Sequence, residues 1–65
     1  MNVIHKMILS YMKFKELYSE TIEYDQLLEH FRLLKWNLDT IESHIIDLLD
    51  TGMIYEPILG KLRVT

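Results

Sequence analysis

Apolar residues in this chain recur at helical spacing, then alternate briefly, return to helical spacing twice, and alternate again at the end. Over residues 2–18, Val3, Ile4, Met7, Ile8, Tyr11, Phe14 and Tyr18 fall on one face of a predicted first helix, with Lys6, Lys13 and Glu16 away from it. Leu9 projects off that stripe and is expected as a single exposed apolar residue, while Met7 and Met12 are expected as core filler. Residues 19–24 alternate and hold β-branched and aromatic side chains, which predicts a short strand with Ile22 inward and Tyr24 half-buried. Asp25 is a suitable N-cap for a second helix over residues 26–35. Leu27, Leu28, Phe31 and Leu34 make its buried face, and Glu29 and Arg32 its open side. Leu33 and Trp36 do not fit that stripe, and Trp36 is expected to pack under the turn Trp36-Asn37-Leu38, because an indole buries so much area.

The last third of the chain has the clearest pattern. Asp39 and Glu42 have the spacing of a capping box at a helix start. Ile41, Ile45, Leu48 and Leu49 then define a buried stripe, and Gly52 stands where a left-handed residue ends a helix. Beyond it the period changes. Ile54, Leu62 and Val64 are expected inward and Glu56, Lys61 and Arg63 outward, with Pro57 and Gly60 bracketing the turn of a hairpin. The predicted order is therefore α-β-α-α-β-β. It is an α+β fold over residues 1–65, a winged helix-turn-helix whose three-helix core is closed by a small antiparallel sheet.

Composition narrows the function classes. A chain of 65 residues buries only about 60% of the surface its unfolded form exposes, so it can hold one core and no enclosed catalytic cavity of usual size. A hydrophobic fraction of 49% is enough for that core and argues against wholesale disorder. With no cysteine, disulfide staples and thiolate metal sites are excluded. Lysines interrupt the amino-terminal apolar run, no small-residue cleavage site follows, and no apolar run is long enough to span a membrane. The expected setting is intracellular, cytoplasm or nucleoid, as a monomer. A net charge of −3 runs against the basic excess usual in a dedicated nucleic-acid binder.

No catalytic site is expected. The only glycines, Gly52 and Gly60, make no phosphate loop. The histidines His5, His30 and His44 include no i, i+4 pair and read as surface residues, so no metal or cofactor is expected. The serines have no visible histidine and acid partners. DNA binding is the natural alternative for this fold, and the outward face of the third helix is its test. That face carries Thr40, Ser43, His44, Asp47, Asp50 and Thr51, with no lysine or arginine to meet phosphates. The wing offers only Lys61 and Arg63. At its tip Ile58 and Leu59 occupy a turn where polar residues are usual. Either one folds back over the hairpin, or the pair forms a small apolar contact surface for a protein. The candidate partner-contact or DNA-contact residues are thus Thr40, Ser43, His44, Asp47, Ile58, Leu59, Lys61 and Arg63.

The stretch Leu48-Leu49-Asp50-Thr51-Gly52-Met53-Ile54-Tyr55-Glu56-Pro57-Ile58-Leu59-Gly60-Lys61-Leu62 resembles the end of the C-terminal winged-helix domain of archaeal minichromosome maintenance (MCM) replicative helicases. Those domains close with a leucine-rich helix, Gly-x-Ile-Tyr-Glu-Pro, two residues, a glycine and a last strand. The match is close from Gly52 to Gly60, and the element order agrees over the whole chain. The chain departs from the family at Ile58-Leu59, where a basic residue or proline is common, and in the link Trp36-Asn37-Leu38. The resemblance implies a fragment of an ATP-driven DNA helicase whose motor lies upstream. Its partners would be the helicase's ATPase module or other replication proteins, with weak DNA contact, and its role would be to modulate helicase and ATPase activity. Two alternatives stand beside it: an autonomous DNA-binding transcription regulator, and a protein-docking winged helix like that of replication protein A, which shares the Gly-x-Ile-Tyr motif.

The stripe of the third helix makes a first testable prediction. Leu48→Ala should lower stability by about 2–5 kcal/mol through lost burial plus the cavity left behind, most of the margin of so small a domain. A thermal melt that barely moves would show that Leu48 is not in the core.

Overall fold

The computed structural model describes residues 2–65. In chain order it contains α1 (Val3–Glu16), β1 (Ile22–Glu23), α2 (Tyr24–Leu33), α3 (Leu38–Asp50), β2 (Ile54–Ile58) and β3 (Lys61–Val64). The strands form one antiparallel sheet in the order β1-β3-β2, so β3 is central and the other two are edges. This is the α+β order expected from the sequence. Every element contributes to one core: Ile8, Leu9 and Met12 from α1, Ile22 from β1, Leu27 and Phe31 from α2, Ile41, Ile45 and Leu48 from α3, Ile54 from β2 and Leu62 from β3.

α1 is rotated relative to its expected face. Asn2 is its N-cap rather than its first residue, with Oδ1 accepting from the Ile4 N–H at 2.7 Å. The buried line runs through Ile8, Leu9 and Met12, flanked by the partly buried Ile4 and Tyr11. Leu9 is only 6% exposed, whereas Phe14 is 55% exposed and Val3, Met7 and Tyr18 also lie open. The helix is apolar on two sides, and periodicity cannot choose between them. The choice falls to its neighbours, α3 and β3, which pack along the line His5, Leu9, Met12, Glu16 at spacings of four, three and four. Glu16, expected outside, is drawn in by them. Its Oε2 accepts from the Val64 N–H at 3.0 Å, and its Oε1 lies 3.5 Å from the Arg63 guanidinium.

α2 begins one residue before the expected cap. Glu23 occupies the N-cap position without a side-chain bond, and Asp25 lies in the first turn, where its charge favours the helix dipole. Leu27 and Phe31 are buried and Leu28 partly so, but Leu34 is exposed, because the helix stops at Leu33. The stop is a Schellman motif. The Trp36 N–H donates to the Phe31 carbonyl at 3.1 Å and the Lys35 N–H to that of Arg32 at 2.9 Å. Lys35 takes φ 72°, which costs a side-chain-bearing residue roughly 1–2 kcal/mol. The Trp36 ring closes the motif by packing on Phe31, centroids 4.6 Å apart, so Trp36 does seat under the turn.

α3 carries the expected stripe, with Ile41, Ile45 and Leu48 buried and Leu49 packed against the core. Its cap is Asn37 rather than Asp39. The Asn37 Oδ1 accepts from the N–H groups of Asp39 and Thr40 at 2.8 and 3.3 Å, so the helix starts earlier and no Asp39–Glu42 box forms. Gly52, at φ 75°, ends the helix in a second Schellman motif, with Met53 N–H donating to the Leu48 carbonyl at 3.0 Å.

Pro57 lies inside β2 rather than at its turn. Tyr55 pairs with Arg63 and Ile58 with Lys61, so Glu56 and Pro57 together oppose Leu62 in a bulge. Proline is tolerated there because β2 is an edge strand. Strict alternation would put Ile58 on the inward face with Ile54. The extra residue moves it to the outward face beside Lys61. The turn is Leu59-Gly60, with Gly60 at φ 82° and its N–H held by Glu56 Oε2 at 2.7 Å.

The rotation of α1 separates two substitutions. Leu9→Ala should cost about 2–5 kcal/mol, as a buried leucine does, while Phe14→Ala should change stability by no more than roughly 1 kcal/mol. Urea melts of the two variants check this, and the reverse ranking would restore the stripe expected from sequence.

Candidate functional site

The candidate residues do not form one surface. Thr40 and Ser43 are exposed on α3. His44 and Asp47 lie on its flank toward α1, where both approach His5. Arg63 is engaged by Glu16, and Lys61 Nζ lies 4.0 Å from Glu23 Oε1. Both hairpin cations expected to face a partner therefore already face carboxylates. Ile58 and Leu59 are exposed, Leu59 by 91%, so neither folds back over the hairpin.

The opposite flank of α3 faces the hairpin turn across an open groove of about 500 Å³. Ile45, Ile46 and Leu49 of α3 and Leu59 and Leu62 of the hairpin line its apolar part. Glu23, Asp25 and Glu56 supply three carboxylates against the single cation Lys61. Each element places its share for a local reason. The β1–α2 junction has no spacer, so Glu23 and Asp25 bracket Tyr24, whose N–H donates to the Gly60 carbonyl at 2.9 Å and joins the groove's two walls. The Glu56 side chain is fixed by its bond to the Gly60 N–H. Ile46 was not among the residues singled out in the sequence. It follows Ile45 in a helix, so its side chain turns by about 100° and leaves the core. It is 53% exposed, and that offset was its available signal.

The groove's electrostatics act on Tyr24. Burial raises its phenol above the ordinary tyrosine value, and the charges of Glu42, Asp25 and Glu56 raise it further. The local potential is negative, as it is on the outward face of α3, where Asp39, Asp47 and Asp50 stand without a lysine or arginine. Elsewhere, Glu29 is held below the usual carboxylate range by its hydrogen bond from Arg32, an i, i+3 pair on α2 far from the groove's lining.

The histidines differ from the surface role expected of them. His5 and His44 are half-buried and meet edge to face, ring centroids 4.8 Å apart, and His30 stacks on Tyr11 at 3.8 Å. Among the described residues, the one group of three or more potential metal-ligating side chains is His5, His44 and Asp47. No helix among these residues is long and apolar enough to cross a membrane.

No protein-family model, no curated protein and no solved structure matches the chain.

The negative groove can be tested through Tyr24. Because its folded-state value is raised, the neutral phenol is favoured, and any stability linked to it is complete at neutral pH. That stability falls as pH rises past the ordinary tyrosine value toward the folded one. An NMR titration of the ring carbons should place Tyr24 above about 10, and Glu42→Gln should move it down. A value that ignores the loss of the carboxylate would show that Glu42 does not contribute to the shift.

Proposed function

We propose that this chain is a protein-docking winged-helix domain, the C-terminal regulatory appendage of an archaeal MCM-type replicative helicase. Its groove between α3 and the hairpin would take an apolar segment flanked by basic residues. The observation that carries this reading is the placement of charge. The helix that a DNA-binding winged helix lays in the major groove has four acids and no permanent cation, and the two hairpin cations lie beside Glu16 and Glu23. Phosphate contacts supply most non-specific DNA affinity, so this surface is poor at it. An apolar floor with a carboxylate rim suits a peptide that buries one or two aliphatic side chains and presents lysine or arginine at the edge.

The Gly52–Gly60 motif supports the helicase assignment, and the element order supports the winged-helix type. The docking reading is shared with the replication-protein-A kind of domain. The autonomous transcription regulator is disfavoured by the acidic α3. A tethered domain meets its neighbours at an effective concentration of roughly millimolar, so weak contacts made through the groove would be populated in the parent enzyme. As no catalytic constellation is proposed here, its effect would be on the rate of the motor rather than on its chemistry.

Two measurements test this. Duplex DNA titrated into the domain and followed by amide shifts should bind more weakly than about 10⁻⁴ M at physiological salt. Saturable micromolar binding centred on α3 would favour the transcription regulator instead. In the helicase carrying this domain, deletion should leave ATP hydrolysis and unwinding present but altered in rate. Ile46→Ala with Leu59→Ala, both at exposed positions, should reproduce part of that change. Abolished hydrolysis on deletion, or unchanged rates in every variant, would contradict the appendage reading.

A further inference from the structure

We propose that His5, His44 and Asp47 form a binding site for a first-row transition-metal dication of the zinc class, clipping α1 to α3. The three side chains come from two helices packed against each other. His44 and Asp47 are three residues apart on α3 and share its flank, and His5 faces them from the first turn of α1. One donor atom from each lies within 4.8 Å of the others.

Unmet bonding demand is the second observation. His5 Nε2 and His44 Nδ1 are both buried from solvent and neither has a hydrogen-bond partner. Buried nitrogens without partners are unfavourable, and few occur in a native structure. Here they belong to two rings that meet edge to face, beside a carboxylate. Protonation of His5 does not resolve the cluster. Its Nε2 stands 3.8 Å from Asp47 Oδ2, beyond hydrogen-bond length, and such a pair leaves His44 Nδ1 as it was. A single dication satisfies all three groups at once, by accepting the lone pairs of two neutral imidazoles and one carboxylate oxygen.

Ligand chemistry sets the class of metal. Imidazole suits zinc, nickel, copper and iron, whereas magnesium and calcium require oxygen ligands. At bonds of roughly 2.1 Å, tetrahedral donors stand roughly 3.4 Å apart, so the side chains must close inward on binding. Asp47 is free to do so, since its side chain is 57% exposed. Three protein ligands leave a fourth position to water. The site lies on the α1 side of α3, away from the groove, and so is independent of the docking proposal. It also gives two residues first read as partner contacts a different task.

The test is zinc chloride titrated into the chain, with magnesium chloride as the control. Calorimetry should show one zinc per chain and no magnesium uptake. The imidazole resonances of His5 and His44 should shift together while those of His30 stay in place, and the melting temperature should rise with zinc. His44→Gln and Asp47→Asn should each weaken zinc binding by about tenfold or more, and His30→Gln should not. Asp47→Asn alters an exposed side chain, so it tests the site without disturbing the packing that the half-buried His44 takes part in. Absence of saturable zinc uptake would overturn the site, as would wild-type affinity in Asp47→Asn, or loss of binding in His30→Gln alone.

Discussion

β3 must be satisfied along both edges, and the elements offered to it are short. β2 pairs along one edge with a bulge. β1 is two residues long and reaches only Lys61 and Leu62 on the other. Beyond its end the N–H of Val64 would be left without a strand carbonyl, and the Glu16 carboxylate takes that place. A side chain at the end of α1 thus completes the ladder of the central strand and fixes how α1 lies against the sheet. The bond joins residues 48 positions apart, so it forms only when the fold has closed. Leu62, fully buried between the two edges, depends on the same arrangement.

The inner line of α1 can be understood from that bond. Leu9 and Met12 are its apolar middle, and His5 and Glu16 are its polar ends. Glu16 finds a backbone donor and a guanidinium. His5 meets His44 and Asp47, an arrangement that leaves nitrogens unpaired in the protein alone. The same rotation leaves Val3, Met7 and Phe14 at the surface.

The hairpin shows how one extra residue shapes a surface. The bulge at Glu56-Pro57 turns Ile58 outward, and the bond from the Gly60 N–H to Glu56 holds the turn that raises Leu59 at the groove's edge. Carboxylates from the β1–α2 junction and from β2 surround this apolar edge, and the nearby cations are paired with acids. The edge is thus apolar at its centre and mostly anionic around it.

What the sequence determined by itself was local. The element order, the stripe Ile41-Ile45-Leu48, the stop at Gly52, the inward Ile22 and the turn at Gly60 follow from period, capping and left-handed backbone positions, all set within a few residues. The acidity of α3 was also legible, because a helix keeps the charges its sequence gives it wherever it packs. Tertiary structure decided whatever depended on a distant partner. α1 had two apolar sides, and only the approach of β3 and α3 selected the one holding Leu9. Asn37 rather than Asp39 capped α3, a choice between two competent cap residues that the local pattern alone left open. Ile58 faced outward because Glu56 and Pro57 together oppose Leu62 in a bulge. The meeting of His5 with His44 and Asp47 was invisible in sequence, since metal spacing along one helix does not reveal ligands shared between two. The groove beside Ile46 was hidden for the same reason: its walls come from three separate parts of the chain, and only packing brings them together.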